Sequence, residues 1–220
     1  MIRVVVFDFD GTLVDSNPIK DVCFHVAVAG QPGGEDALSA ARALGGDRYR
    51  IFAETARRLK PDADAAETMA LARRLTARYG HCCENRIRCC PIRHGARTTL
   101  AALKRQGFRL WLSSGTPDRD LVAVVRKRGW APLFDGILGS SGSKAENLRR
   151  IMALEKAKPR EVMMVGDSLD DIVGAREAGT WMVAITVEGR VAARGPFAMR
   201  HLYSLPPLIA RLRSRPSSRV

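Results

Sequence analysis

The first dozen residues constrain the fold more than any other stretch of this 220-residue chain. An almost continuous apolar run over residues 2–7 ends abruptly at Asp8 and Asp10, and Gly11-Thr12 follows. A run without alternation is typical of a strand that is buried on both faces of a parallel sheet. Ligands bind at the carboxyl ends of such strands. We therefore predict a central strand that delivers two carboxylates to a ligand-binding edge.

The spacing of Asp8 and Asp10 predicts a bound cation. Two carboxylates one residue apart raise each other's pKa, so both stay ionised only when a positive charge lies near them. Mg²⁺ is a hard ion that prefers oxygen ligands, and it is the natural candidate.

After Pro91 the sequence alternates between helical and strand patterns. Gly and Pro residues punctuate the pattern at the points where helices begin and end. The predicted strands are 108–112, 136–139, 161–165 and 181–186, and the predicted helices are 97–105, 118–128, 145–156 and one that ends at Gly179. With the first strand, this pattern predicts a Rossmann-like α/β core with five parallel strands.

Residues 17–88 contain helical patterns and no predicted strand. The predicted helices run from Asn17 to Gly30 and over 36–44, 47–59 and 64–79. This block interrupts the alternating pattern. We therefore expect an α/β core domain formed by 1–15 and 93–220, with an inserted helical domain at 16–92.

Composition excludes several classes of protein. With 46% hydrophobic and 27% charged residues the chain resembles an ordinary globular protein, and neither a membrane-length apolar run nor a signal-peptide pattern occurs. We expect no membrane association and a cytoplasmic location. The net charge of +13 is concentrated after Glu188, where seven Arg and no acid occur. Because only 6% of the residues are aromatic and no nucleic-acid motif is present, we expect no nucleic-acid partner.

Four of the five cysteines cluster as Cys82-Cys83 and Cys89-Cys90. Adjacent cysteines cannot easily both reach one tetrahedral zinc ion. We therefore expect reduced, semi-buried thiols at the end of a helix, with no metal and no essential disulfide.

The polar signals of the core fall just past the ends of the predicted strands. Those ends are neighbours in a parallel sheet, so the residues can converge on one crevice. They are Asp8, Asp10, Ser113-Ser114-Gly115, Lys144, Asp167 and Asp171. Transfer of a phosphoryl group depends mainly on positioning and on neutralisation by a metal, an ammonium and N–H donors. The predicted crevice offers each of these.

Asp8-Phe9-Asp10-Gly11-Thr12 resembles the first motif of the haloacid dehalogenase superfamily, and the later motifs follow in that family's order. The resemblance points to the branch of phosphoglycolate phosphatases and β-phosphoglucomutases, which has a helical cap. It implies that Asp8 is the nucleophile, which forms an aspartyl-phosphate, and that Asp10 is the general acid and base. Gly11 and Thr12 would belong to the substrate-binding residues.

The remaining motifs carry further implied roles. The segment Ser113–Pro117 is similar to the second motif, with Ser114 as the catalytic hydroxyl and Gly115 letting a backbone N–H approach the phosphate. Lys144 resembles the charge-balancing lysine of the third motif, although Ala145 stands where many members have Pro. Asp167 and Asp171 match the fourth motif, and both are expected on one face of a helix start. The implied Mg²⁺ site comprises Asp8, Asp10 through its backbone carbonyl, Asp167 and Asp171.

The helical block resembles the family's cap, which covers the nucleophile and contacts the substrate's leaving group. Arg48 is the chosen candidate for binding an anionic substrate, with Arg42 and Arg50 as further candidates. Gly45-Gly46 would let this loop approach the site.

Several functions stay open. A Mg²⁺-dependent phosphatase acting on a small phosphomonoester, as a monomer or homodimer, is our main expectation. A sugar-phosphate mutase would have the same core, and a phosphonatase would need a cap lysine, for which Lys20 and Lys60 are available. Asp10 argues against a dehalogenase, which needs only the first aspartate. A basic, non-catalytic binding protein is a different class, and the retained catalytic carboxylates disfavour it.

Overall fold

A computed structural model gives the structure and describes residues 1–87, 89–186 and 197–214. The chain divides into two compact units. The core unit comprises Met1–Asp15 and Pro91–Val220, and the helical unit comprises Ser16–Cys90. The arginines at 190, 194, 215 and 219, which make up much of the predicted basic tail, lie outside the described residues.

The core unit contains a parallel sheet of six strands in the order β3-β2-β1-β4-β5-β6. The strands are β1 Val4–Phe7, β2 Arg109–Ser113, β3 Gly136–Leu138, β4 Val162–Gly166, β5 Trp181–Ile185 and β6 Phe197–Met199. The predicted parallel α/β fold is confirmed, with one short strand more than expected. The additional strand is β6, which follows residues 187–196. The three residues of β6 carry no clear strand pattern in the sequence.

The helices of the described residues are numbered along the chain. They are α1 Asn17–Val28, α2 Gly34–Ala43, α3 Arg48–Leu59, α4 Ala65–Ile87, α5 Ala96–Arg105, α6 Asp118–Lys127, α7 Lys144–Leu154, α8 Leu169–Ala178 and α9 Leu205–Arg213. Helix α4 extends well beyond the predicted residue 79, and α9 was not predicted. Within the described residues, none of these helices combines the length and the apolar character that crossing a membrane requires.

The strand order places a topological switch point at β1. The chain adds β2 and β3 on one side of β1 and then adds β4 on the other. Phe7 pairs with Leu112 of β2 and with Val165 of β4, so the three central strands end at the same level. In open α/β sheets the crevice at such a point is where ligands bind.

Strand β1 is the most deeply buried part of the sheet. All four of its residues are inaccessible to solvent. Val4 and Val6 pack in an apolar cluster with side chains of neighbouring strands and of the helices α7 and α8, including Trp111, Met164 and Leu148. Burial of this kind stabilises by about 25 cal/mol per Å² of apolar surface, which is why an uninterrupted apolar run forms this strand.

Helices α1–α4 form the helical unit around an apolar core. Phe24, Phe52 and Tyr79 form its aromatic centre, with ring centroids 4.6 to 5.7 Å apart. Each such pair contributes about 0.5–1.5 kcal/mol beyond its buried area. The unit is therefore held together by side chains from distant parts of its sequence.

A disulfide links Cys23 of α1 to Cys82 of α4. The expectation of a cluster of reduced thiols is wrong for Cys82, because its partner comes from outside the cluster, 59 residues away. Cys83, Cys89 and Cys90 do not take part in a disulfide within the part of the chain that the structure describes. The spacing of the four clustered cysteines does not reveal this pairing, because the packing of α1 against α4 brings in the fifth cysteine.

Candidate active site

Asp8 lies directly after β1, at the carboxyl edge of the sheet. Its backbone N–H donates a hydrogen bond to the carbonyl of Val165, which continues the sheet pairing by one residue. Its side chain is 9% exposed. The carboxylate that the sequence predicts as the nucleophile is therefore buried at the carboxyl edge of the sheet.

Lys144 is the cation that contacts Asp8. Its Nζ lies 2.7 Å from Asp8 Oδ1 and 2.8 Å from Asp171 Oδ1, and it also donates to the backbone carbonyl of Ser113. Burial lowers the pKa of Lys144, but Asp171 and Asp8 outweigh it and hold the pKa above its ordinary value. The lysine is consequently a fixed positive charge between two carboxylates.

Helix α7 begins at Lys144, one residue earlier than predicted. Ser143 and Glu146 form a capping box in which the Ser143 hydroxyl accepts from the Glu146 N–H and the Glu146 carboxylate accepts from the Ser143 N–H. The cap fixes where the helix starts. It thereby sets the position from which the Lys144 side chain extends, although this chain has Ala145 where many family members have Pro.

Three carboxylates gather beside the lysine. Asp8, Asp167 and Asp171 each offer an oxygen, and these oxygens lie within 4.8 Å of one another. Burial raises the pKa of Asp8, Lys144 opposes this effect, and the like charges of the neighbouring aspartates raise the pKa further, to a net value well above the usual range. An all-oxygen set with excess negative charge fits Mg²⁺, which would relieve that repulsion.

Two hydroxyls orient the acids from β4 and α8. Thr12 Oγ1 donates to Asp167 Oδ1 at 3.0 Å, and Ser168 Oγ donates to Asp171 Oδ2 at 2.6 Å. Asp167 precedes α8 instead of lying on it, so the two acids converge through a loop and a capping box and not through one helix face. The Thr12 side chain is fully buried, and its hydroxyl bonds to an acid.

Gly166 allows Asp171 to approach the sheet. A Cβ at Gly166 would lie 2.3 Å from the carboxyl carbon of Asp171, a separation that no real structure permits. Glycine at the end of β4 is therefore required for the fully buried position of Asp171. The Gly-Asp pair of the fourth motif thus has a steric basis.

Asp10 lies in a tight turn that follows Asp8. Gly11 has a φ of 81°, which favours glycine, and its N–H donates to the carbonyl of Val14 to close the turn. Asp10 Oδ2 accepts a hydrogen bond from Thr116 Oγ1 at 2.8 Å, and Ser114 Oγ lies 3.5 Å away. Two hydroxyls therefore adjoin this carboxylate.

Ser113 at the end of β2 and Ser114 just after it have different surroundings. Ser113 is fully buried, and Asn147 donates to its hydroxyl. Ser114 lies one residue further on, and its Oγ accepts from the Thr116 N–H and approaches Asp10. The structure thus brings Ser114 to the Asp10 carboxylate, and Gly115 is exposed with open space where a Cβ would be.

Sequence reasoning missed Thr116, Ser168 and Asn147. Thr116 follows the predicted Ser114-Gly115 pair in the same loop, and Ser168 lies between the two acids of the fourth motif. Both could have been found by asking which hydroxyls adjoin the predicted acids. Asn147 carries no such signal, since it resembles an ordinary residue in a helix.

Arg48 belongs to the helical unit, at the first turn of α3. Its guanidinium lies over the rings of Tyr49 and Tyr79, at 5.1 and 5.9 Å from their centroids. Arg42 pairs with Asp21 at 2.6 Å. The structure accounts for both arginines through contacts inside their own unit, and the predicted contact of Arg48 with substrate stays a prediction.

The fold and the site together place buried carboxylates at the switch point of an α/β sheet. Residues 2–179 match the family model described as haloacid dehalogenase-like hydrolase. The chain belongs to this family, and the predicted resemblance is confirmed.

Named relatives extend this result. The chain is similar to the phosphoglycolate phosphatase of Vibrio cholerae, with 27% identity over 84% of each chain, and to the pyrophosphatase PpaX of Bacillus mycoides, with 26% identity over 96% of this chain and 98% of the relative. Among solved structures, a predicted phosphoglycolate phosphatase from Haemophilus somnus superimposes with a TM-score of 0.75 at 19% identity and covers 94% of this chain and 98% of its own. A haloacid dehalogenase-like family protein from Streptococcus pneumoniae gives 0.74 at 21% identity, with the same coverage. These two structures show the fold.

Proposed function

We propose that this chain is a Mg²⁺-dependent phosphatase that hydrolyses a small phosphomonoester through an aspartyl-phosphate on Asp8. The observation that carries the proposal is the convergence of Asp8, Lys144, Asp167 and Asp171 at one edge of the sheet, with Asp10 in the adjoining turn. Attack on phosphorus needs a carboxylate whose charge is balanced, and this constellation supplies it.

Asp8, Asp167 and Asp171, with the backbone carbonyl of Asp10, would hold the Mg²⁺. When bound, the ion offsets the negative charge of the carboxylates and of the phosphoryl oxygens. Lys144 adds a second positive charge at Asp8 Oδ1. The phosphoryl oxygens would contact Ser114 and the backbone N–H at Gly115.

In the first step a carboxylate oxygen of Asp8 forms a bond to phosphorus, and the bond from phosphorus to the leaving oxygen breaks. Asp10 donates its proton to that oxygen, so the product leaves as an alcohol. In the second step the Asp10 carboxylate takes a proton from water, and the water oxygen attacks phosphorus. Inorganic phosphate is released and the Asp8 carboxylate is restored.

Thr116 and Ser114 support this double role of Asp10. The Thr116 hydroxyl donates to Asp10 Oδ2 at 2.8 Å and keeps that oxygen in place. From this fixed position Asp10 would exchange its proton with the leaving group and with water. A hydroxyl can hydrogen-bond to a carboxyl group in either of its protonation states.

We propose that the helical unit acts as a cap that excludes water and selects the substrate, with Arg48 among the residues that bind it. The relatives named phosphoglycolate phosphatase and pyrophosphatase support a small, highly charged substrate. An arginine at the start of α3 suits an anionic group.

The test is a panel of phosphoglycolate, pyrophosphate, sugar phosphates and nucleotides, assayed with Mg²⁺ and again after chelation. We expect phosphate release from at least one small phosphomonoester, and loss of that activity on chelation with recovery when Mg²⁺ is restored. Hydrolysis that persists undiminished in chelator would contradict the metal requirement. A panel with no hydrolysis of any member would contradict the proposed activity.

A further inference from the structure

Asn147 is a buried amide that connects two loops of the active site. It lies on α7 three residues after Lys144 and is 5% exposed. Its Nδ2 donates to Ser113 Oγ at 3.1 Å and to the carbonyl of Gly139 at 3.0 Å. One side chain therefore binds the end of β2 and the loop that follows β3.

The residues that Asn147 binds also determine the surroundings of Lys144. The carbonyl of Ser113 accepts a hydrogen bond from Lys144 Nζ, while the hydroxyl of the same residue accepts from Asn147. Gly139 begins the loop that leads into α7 and Lys144. Through Gly139, Asn147 holds the loop that leads to the backbone of Lys144. Through Ser113, it holds the residue whose carbonyl accepts a hydrogen bond from the Lys144 ammonium.

Asp118 reinforces the same junction from the other side. Its Oδ1 accepts from the Gly139 N–H at 2.7 Å and its Oδ2 from the Ser141 hydroxyl at 2.8 Å. The Gly139 hydrogen bond is the main reason that the pKa of Asp118 lies below its ordinary value. Gly139 is therefore held through its carbonyl by Asn147 and through its N–H by Asp118.

We propose that Asn147 is a positioning residue of the phosphatase site, which sets the place of the Lys144 ammonium relative to Asp8 through Ser113 and Gly139. The inference rests on the proposed function. Asn147 does not itself touch Asp8, and its amide exchanges no proton with the substrate. Its effect is on geometry, and misplacement of a catalytic group by about 1 Å can cost about 10²-fold in rate.

The experiment compares Asn147→Ala with Thr99→Val. Thr99 is a buried residue of α5 whose hydroxyl has no hydrogen-bond partner among the described residues, so its variant controls for the loss of a buried polar group. We expect Asn147→Ala to lower kcat about 10- to 100-fold while KM changes much less. Thr99→Val should retain the kcat of the wild type.

Ser113→Ala tests the same link from its other end. This change removes the hydroxyl that Asn147 binds but keeps the backbone carbonyl that accepts from Lys144. We expect a smaller loss of kcat than for Asn147→Ala, which also removes the hydrogen bond to Gly139. The loss in the double variant should be smaller than the product of the two single losses, since both changes remove the hydrogen bond between Asn147 and Ser113. If Asn147→Ala does not fold, Ser113→Ala alone decides, and a folded variant with the kcat of the wild type overturns the proposal.

The outcomes separate this inference from the proposed function. An active wild-type enzyme with unchanged kcat in Asn147→Ala would overturn the positioning role alone. Lower thermal stability with an unchanged kcat for the folded fraction would also overturn it, because that is the result expected of a purely structural amide. A wild-type protein that hydrolyses no phosphomonoester would contradict the proposed function itself.

Discussion

The core unit and the helical unit bury different kinds of side chain. Beneath the carboxyl edge of the sheet the core unit buries polar and charged groups, among them Asp8, Asp171, Ser113 and Asn147. Helices α1–α4 instead enclose an apolar and aromatic cluster with a disulfide. Buried charges persist only where partners or a metal balance them, so this contrast indicates where the chemistry resides.

The largest expected effect comes from the core. Asp8→Asn removes the attacking oxygen and one negative charge of the metal site, so phosphate release should fall by at least about 10⁴-fold. Asp64→Asn in the helical unit is the matched control, because asparagine can still accept the hydrogen bond that the Glu67 N–H donates to Asp64. Similar activity in the two variants would contradict the assignment of the catalytic chemistry to the core unit.

The disulfide provides the corresponding test of the helical unit. Cys82→Ser should lower the free energy of unfolding by about 2–4 kcal/mol, because the disulfide closes a long loop. The comparison is made in buffer without a reducing agent, so that the disulfide of the wild type stays intact. A reducing agent should lower the melting temperature of the wild type and leave that of Cys82→Ser unchanged. Cys89→Ser, at an exposed free thiol, is the control. A wild type that is insensitive to reduction would contradict a stabilising disulfide.

An ion-pair cluster in the core links stability to pH. The Asp135 side chain is 8% exposed, accepts from Lys104 Nζ at 2.7 Å and from the Leu110 N–H at 2.8 Å, and pairs with Arg109. Burial raises the pKa of Asp135, but these partners outweigh it and lower the pKa below its ordinary value. The carboxylate therefore stabilises the fold above its unfolded pKa of about 4, and this contribution is lost as pH falls through the lower folded pKa.

Asp135→Asn should consequently cost about 1–3 kcal/mol of unfolding free energy at neutral pH. The difference from the wild type should shrink as pH falls through the folded pKa of Asp135. Denaturant unfolding at several pH values measures this difference. A constant difference down to the most acid pH would show that packing, and not charge, explains the effect of the variant.

The smallest effect is expected at Arg48. Its contacts with Tyr49 and Tyr79, at a half-buried position, are worth about 1 kcal/mol. If Arg48 also binds substrate as we propose, Arg48→Ala should raise KM severalfold with little change in kcat. Arg48→Lys keeps the charge and should recover part of the affinity. An unchanged KM in both variants would contradict substrate binding by Arg48 and leave only its contacts with Tyr49 and Tyr79.

The same contrast explains what could be predicted from the sequence. The apolar run of β1 and the acids that follow each strand carry a strong local signal, because parallel strands end at one edge. Asp8, Ser114, Lys144 and Asp167 were therefore identified as candidates without a structure.

The remaining features depend on contacts between distant residues. Cys23 and Cys82 are 59 residues apart, and Asn147 contacts Ser113 across 34 residues. Strand β6 has only three residues, and it is extended because it pairs with β5. Such features arise from packing, which residue patterns within one segment do not specify.

The most direct test of the mechanism is mass spectrometry of Asp10→Asn during reaction with an activated aryl phosphate. The leaving group then needs no acid, so Asp8 can still attack, but no side chain remains to activate water for the second step. We expect a phosphoryl adduct to accumulate on the peptide that contains Asp8 and turnover to fall by about 10²–10⁴-fold. An adduct on another residue, such as Ser114, would contradict the assignment of Asp8 as the nucleophile.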